Sequence, residues 1–210
     1  MYLSRMKLNP QRRQAKALLG SPQMMHAAVM AAFPPGANQS DERVLWRVDQ
    51  HRETVSLFVV SPIVPSFEHL QEQAGWSQQK TWETRDYTPL LDRLTKGQRY
   101  AFRLTANPVH TVSTGSGKKR LAHVTVAHQL RWLEERQDRM GVRLMPESYD
   151  VVHREIRKFR RQARTVTLSR VTFEGCLEVT DAHHLNSVLR SGIGKGRAYG
   201  CGLLTLAPRA

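Results

Sequence analysis

Apolar and polar positions alternate from Tyr2 to Leu8, which is the period of a half-buried strand. Ser21 then offers an N-cap oxygen and Pro22 suits a first helical position. Met25, Ala28, Val29, Ala32 and Phe33 follow as one apolar stripe that Pro34-Pro35 stops, so a helix is expected here. Val44–Val48 and Thr54–Val60 are β-rich runs joined by a short polar link, the pattern of a hairpin. Ser66–Ala74 predicts a short helix and Lys80–Tyr87 a closing strand. In order this is β-α-β-β-α-β, the ferredoxin-like unit.

The second half repeats the theme. Gln98–Asn107 predicts a strand, the glycine-bearing segment through Lys118-Lys119-Arg120 a polar loop, and Leu121–Val126 a short strand. A helix from about Ala127 carries Leu130, Leu133 and Met140 before Gly141. Strands are expected near Val142 and over Thr165–Val179, where the apolar phase slips between Leu168 and Val171 and suggests a bulge or a break. Asp181 can cap a helix with Leu185, Val188 and Leu189 toward the core, and Leu203–Leu206 forms the last strand. The expected fold is therefore α+β, two tandem ferredoxin-like (RNA-recognition-motif-like) domains over residues 1–92 and 98–210, joined near Leu90 to Gly97.

Between the last helix and the last strand the chain reads Gly192-Ile-Gly-Lys-Gly-Arg-Ala-Tyr-Gly-Cys-Gly-Leu-Leu204, with five glycines in eleven residues. Glycine lacks the Cβ that keeps a backbone away from a ligand. Gly192, Gly194 and Gly196, interleaved with Lys195 and Arg197, therefore suit main-chain N–H groups and cations that approach a phosphodiester together. Neither the P-loop nor the dinucleotide fingerprint has this spacing, and the flanking order of helix then strand is the reverse of theirs. A plain glycine-bearing turn is the alternative reading of the segment alone.

Charge sharpens the picture. With 32 Lys and Arg against 18 Asp and Glu, the net charge of +14 calls for a polyanionic partner. The only sustained apolar run, Met24–Phe33, is too short to span a bilayer, and no signal-peptide pattern opens the chain; a cytoplasmic protein that binds nucleic acid rather than membrane is expected. Cys176 and Cys201 lack zinc-ligand spacing and read as small apolar residues, and adjacent His183 and His184 read as surface or cap residues. No carboxylate constellation suggests a two-metal nuclease, so neither metal nor cofactor is expected. No helix-turn-helix or zinc-finger signature marks a DNA-binding regulator either.

Arg154, Arg157, Lys158, Arg160, Arg161 and Arg164 place six cations in eleven residues, offset only by Glu155. If helical, Arg154, Arg157, Lys158 and Arg161 share one face and can track phosphates along an RNA stem. Lys118, Lys119 and Arg120 in their loop, and Arg12, Arg13 and Lys16 near the start, are further phosphate contacts by residue type.

The opening Met-Tyr-Leu-Ser, His26 before a Phe-Pro stop, Phe102-Arg-Leu-Thr-Ala-Asn-Pro108, Val171-Thr-Phe-Glu-Gly175 and the terminal glycine segment through Leu-Ala-Pro together closely resemble the CasE family. These are the repeat-processing endoribonucleases of type I-E CRISPR Cascade complexes. The resemblance implies a prokaryotic, metal-independent enzyme with tandem ferredoxin-like domains. It implies that the protein binds the stem-loop of a CRISPR repeat transcript, cuts at the 3′ base of the stem and stays with the mature guide RNA beside other Cascade subunits. It also implies that His26 is catalytic. By pattern alone a half-buried structural histidine is the commoner use of such a residue, since His26 lies about 100° around the helix from Met25, on the flank of the stripe. Gln23 stands where family members often carry a tyrosine. An amide does no proton transfer, so no second catalytic group carries over to that position.

Without metal, RNA is cut most readily when the 2′-hydroxyl attacks its own phosphate, leaving a 2′,3′-cyclic phosphate and a 5′-hydroxyl. One group must take the 2′ proton and another must protonate the leaving oxygen, and histidine serves in either role. Lys195, Arg197 or Lys119 would stabilise the extra phosphorane charge. A non-catalytic RNA-binding subunit of a ribonucleoprotein complex is the alternative function.

Overall fold

The structure is a computed structural model that describes residues 1–35, 43–115, 117–161 and 164–208, with the side chains of residues 114, 160, 161 and 164 outside the description. Its elements are β1 (Tyr2–Leu8), α1 (Arg13–Gly20), α2 (Pro22–Met30), β2 (Leu45–His51), β3 (Thr54–Ser61), α3 (Glu68–Ala74), β4 (Trp82–Asp86), α4 (Thr88–Asp92), β5 (Arg99–Ala106), β6 (Val109–Thr114) and β7 (Gly117–Ala122). The chain continues through α5 (Val126–Glu134), α6 (Gln137–Met140), β8 (Val142–Leu144), β9 (Asp150–Arg161), β10 (Arg164–Val179), α7 (Ala182–Ser191), a 3-10 turn (Arg197–Tyr199) and β11 (Leu204–Pro208).

The first sheet has the order β2-β3-β1-β4 with every neighbour antiparallel, as a βαββαβ unit requires. Its helices cover one face, where Met6, Leu57 and Val59 meet Leu18, Met25, Val29, Phe67 and Leu70. The second sheet has the order β11-β5-β10-β8, with β9 also paired to β10. This is the same unit with its second strand split into β8 and β9, which take successive stretches of the long β10. Phe102, Leu104, Val171, Phe173 and Leu177 pack there against Trp132, Leu133, Leu185 and Leu189 of the helices. The tandem ferredoxin-like architecture is thus as expected.

The two sheets are tied together by Arg47, a residue that the strand pattern does not single out. Its side chain is only 2% exposed. It donates to the carbonyls of Arg103 and Leu203 at 2.9 and 3.0 Å, to Thr205 Oγ1 at 2.9 Å, and in a fork to Asp49 at 2.7 and 2.8 Å. A buried guanidinium is tolerated only with its donors satisfied in this way. Nearby Leu45 and Val60 of the first sheet join the core of the second.

One element is added to the expected set and three local expectations are corrected. Residues 13–20 form a helix, α1, whose Ala15 and Leu18 are buried, although the cations among them masked that face in the sequence. Lys118, Lys119 and Arg120 lie in strand β7 of a two-stranded ribbon, opposite Ser113, Val112 and Thr111, and not in a loop. Residues 154–161 are not helical: β9 pairs with β10 from Asp150 to Arg161, so the proposed helical face does not exist. Arg154 and Lys158 project to one side of the ribbon, and Arg157 goes to the other with Glu155 and Phe159. Finally, β10 runs unbroken past Leu168 and Val171; the register shift comes at Thr172/Phe173 instead. Leu168 and Val171 point to opposite faces, and both are buried, Leu168 beside Cys201 and Val171 in the helix-covered core. A strand covered on both sides loses its alternation without any break in the backbone.

Candidate functional site

Helix α2 begins as the sequence predicts, with Ser21 Oγ accepting from the Met24 N–H at 3.3 Å and Pro22 in the first turn. Its buried side is Pro22, Met25 and Val29. Helix α3 steadies it from outside, because the His69 ring donates to the Ala28 carbonyl at 2.9 Å, and just before α3 the Ser66 N–H donates to the carbonyl of Ala32, beyond the end of α2, also at 2.9 Å. His26 consequently stands half-buried on the flank, next to exposed Gln23.

Opposite this flank lies the glycine segment. A cleft of about 450 Å³ is lined by Gln23, His26 and Arg43 on one wall and by residues 194–199 on the other. The imidazole and the cationic loop, remote along the chain, thus share one crevice. The loop is held in place by packing. Gly200 has φ +77, and a Cβ there would sit 2.6 Å from the Trp46 ring. Gly192 likewise abuts Leu45 at 2.8 Å. These two glycines seat the loop against the first sheet and do not open it toward a ligand, while Gly194 and Gly196 line the cleft itself.

The cleft is cationic. Among the described residues its lining includes Arg43, Lys195 and Arg197 and no carboxylate. Partial burial first, and then Arg43 and Arg139 nearby, press the Arg197 guanidinium below its ordinary range. Crowded cations of this kind are relieved by an anion such as a phosphodiester. Arg43 and Arg139 carried no signal in the sequence, being single arginines outside any basic run.

Two basic arms leave the rim. Asn107 bridges to Lys195 just before the β6–β7 ribbon begins, so the exposed Lys118, Lys119 and Arg120 spring from the corner that holds the glycine loop. On the β9–β10 arm, Phe159 packs against Tyr199 of the 3-10 turn with ring centroids 4.8 Å apart. Exposed Lys158 adjoins this anchor, whereas Arg157 is spent on Glu155 at 2.7 Å. Arg154 is exposed and donates to the Val124 carbonyl at 3.3 Å. The side chains of Arg160 and Arg161 lie outside the described residues. Arg12 and Arg13 are not brought to the cleft: Arg13 is exposed at the start of α1, and Arg12 donates to the Gln71 carbonyl at 3.4 Å and to that of Glu72, closing the end of α3.

A larger cleft, about 520 Å³, lies between the sheets and is lined by Arg103, Arg157, Arg170, Glu155 and Glu174 among others. Its charges are already matched, Arg170 and Arg157 on Glu155 at 2.6 and 2.7 Å, and Arg103 on Glu174. It offers no comparable unmet charge, and the smaller cleft is the better candidate despite its size.

Among the described residues no group of three or more His, Cys, Asp or Glu side chains could hold a metal ion, and no helix is long and apolar enough to cross a membrane. His184 is held as a cap residue, its N–H and ring on Asp181. Cys201 is fully buried as a small apolar residue, and burial pushes its thiol up to about 12.

A tandem ferredoxin-like protein with a histidine facing a cationic glycine loop is the architecture defined so far. The model of one family, described as CRISPR associated protein, matches residues 1–208, and the chain belongs to that family. It is 32% identical over 220 residues to the CRISPR-associated endoribonuclease Cse3 of Thermus thermophilus, covering 99% of this chain and all of that one. It is also 32% identical over 125 residues to the Cascade subunit CasE of Escherichia coli K12, covering 55% of this chain and 61% of that one. A solved structure of Cse3 bound to a 19-nucleotide RNA superposes with a TM-score of 0.85 at 32% identity, over 99% of this chain and 100% of that one. The resemblance to CasE read from the residues is borne out.

Proposed function

We propose that this chain is an endoribonuclease that binds the stem-loop of CRISPR repeat RNA and cuts it without metal. The 2′-hydroxyl attacks the adjacent phosphate, and the products carry 2′,3′-cyclic phosphate and 5′-hydroxyl ends. One observation carries the reading: His26 and the Gly194–Arg197 loop line a single cationic crevice. His26 moves a proton there. Arg43, Lys195 and Arg197 meet the charge that builds on the phosphorane, the kind of preorganised electrostatics that is commonly the largest catalytic contribution.

The stem lies along the exposed cations of the two arms, Lys118, Lys119 and Arg120 on one and Arg154 and Lys158 on the other. A-form RNA is read mainly through its phosphates, 2′-hydroxyls and shape, so such arms recognise stem length and closing pairs more than base edges. The relatives' names as endoribonuclease and Cascade subunit support this reading and its extension, in which the protein keeps its product within a Cascade complex in the cytoplasm. We take residues 1–92 as the domain that supplies the histidine and residues 98–210 as the domain that supplies the loop and arms.

The test is a labelled repeat hairpin incubated with the protein in EDTA. The expected product ends in a cyclic phosphate, and His26→Ala cuts at least ~100-fold more slowly while binding within about twofold of wild type. Tight binding with no cutting by the wild type would leave the non-catalytic RNA-binding subunit, the reading that Gln23 favours by its inability to move a proton.

A further inference from the structure

Cleavage by 2′-hydroxyl attack moves two protons, and His26 accounts for one of them. A second side chain in the same cleft can supply the other. Gln23 is excluded by its chemistry. The guanidinium forks of Arg43 and Arg197 suit phosphate oxygens. Lys195 is exposed, and its ammonium is a strongly hydrated point charge, suited to a phosphate oxygen. Among the described residues that line the cleft, Tyr199 is the one with a hydroxyl-bearing side chain.

Its position is built. Tyr199 ends the 3-10 turn that Gly196 opens and Gly200 closes, both with left-handed backbone, and its N–H donates to the Gly196 carbonyl at 2.8 Å. The ring is half-buried, tilted 60° on Phe159 at 4.8 Å, while the residue still forms part of the cleft wall. An aromatic ring anchored on Phe159, in a residue that lines the cleft, is held with little side-chain freedom.

We propose that Tyr199 is the second catalytic residue and the general acid. This rests on the nuclease reading above. Neutral His26 takes the proton from the 2′-hydroxyl as O2′ bonds to phosphorus, and the bond from phosphorus to O5′ breaks. Tyr199 gives its proton to O5′, and the resulting phenolate and imidazolium return to their starting states by exchange with water. The atoms of the RNA are conserved, and no oxidant, reductant or co-reactant is consumed. The reading assigns the missing second group to the glycine loop, in place of the helix position that Gln23 occupies.

Single-turnover cleavage of a repeat hairpin, with ordinary oxygen or with sulfur as the bridging 5′ atom of the scissile linkage, tests the assignment. Tyr199→Phe keeps the contact with Phe159, so binding should stay within about twofold of wild type. On the oxygen substrate it should cut about 100-fold more slowly, the size of a lost general acid. On the sulfur substrate it should return to within a few-fold of wild type, because a thiolate leaves without a proton; a merely structural tyrosine would show no such rescue. Equal rates on oxygen, a defect that persists on sulfur, or rescue of Lys195→Met or His26→Ala in its place would overturn the proposal. A wild type that leaves the hairpin intact would overturn the nuclease reading along with it, so the two failures are told apart.

Discussion

Two of the clefts among the described residues differ in what they leave unmet. The larger one, between the sheets, gathers three arginines but gives each a carboxylate partner in Glu155 or Glu174. The smaller gathers Arg43, Lys195 and Arg197 around His26 with no carboxylate among its described lining residues. Cavity size reflects how two sheets pack. Unmet charge beside a titratable group reflects what the cavity is for, because uncompensated cations cost stability unless a ligand repays them.

The contrast can be broken at its strongest point first. Gly200→Ala would place a Cβ 2.6 Å from the Trp46 ring on a left-handed backbone, so the loop must lift from the first sheet. Strain and overpacking together should cost about 3 kcal/mol in chemical denaturation, and cleavage should fall by more than about 100-fold. Unchanged cleavage with Gly200→Ala would mean that loop placement does not set the site.

Removing the cations of the β6–β7 arm should act on affinity alone. The triple variant Lys118→Ala, Lys119→Ala, Arg120→Ala should shrink the slope of log affinity against log salt by roughly 2 to 3, since each phosphate contact adds about 0.7–0.9. Saturating protein should restore the cleavage rate. A rate defect that persists at saturation would place this arm in the chemistry.

The smallest effect is the one that tests the larger cleft. Glu155→Gln leaves Arg157 and Arg170 without their shared carboxylate, and for this partly exposed cluster the loss should be about 1–2 kcal/mol of stability. Repeat binding should not change by more than about twofold. If RNA instead ran through this cleft, freeing two arginines would tighten binding, and a clear gain in affinity would reverse the comparison.

Where the sequence succeeded and where it failed follows from the range of the forces involved. The Ser21-Pro22 start of α2 and the Asp181 cap of α7 are local, with a side-chain oxygen reaching the N–H three residues on, and both stand as read. The cationic arms misled because charge carries little periodic information. Arg154, Arg157, Lys158 and Arg161 fit a helical face on paper, but β10 offers residues 150–161 a full ladder of backbone partners, and Val151, Val152, Ile156 and Phe159 favour strand. The slip at Leu168 and Val171 looked like a break because a strand buried on two faces by different layers cannot be told from an interrupted one by alternation alone.

By itself the sequence determined the helix caps, the βαββαβ theme, the strong positive charge and, through the residues shared with CasE, the family. Tertiary structure alone decided that His26 and the glycine loop face one another, that Arg43 and Tyr199 join them, that Arg12 closes a helix end, and that Arg47 locks the two sheets together. The physical reason is that caps and periods act over three or four residues, whereas a cleft is the sum of contacts such as Gly200 on Trp46 and Phe159 on Tyr199, whose partners lie tens to more than a hundred residues apart along the chain.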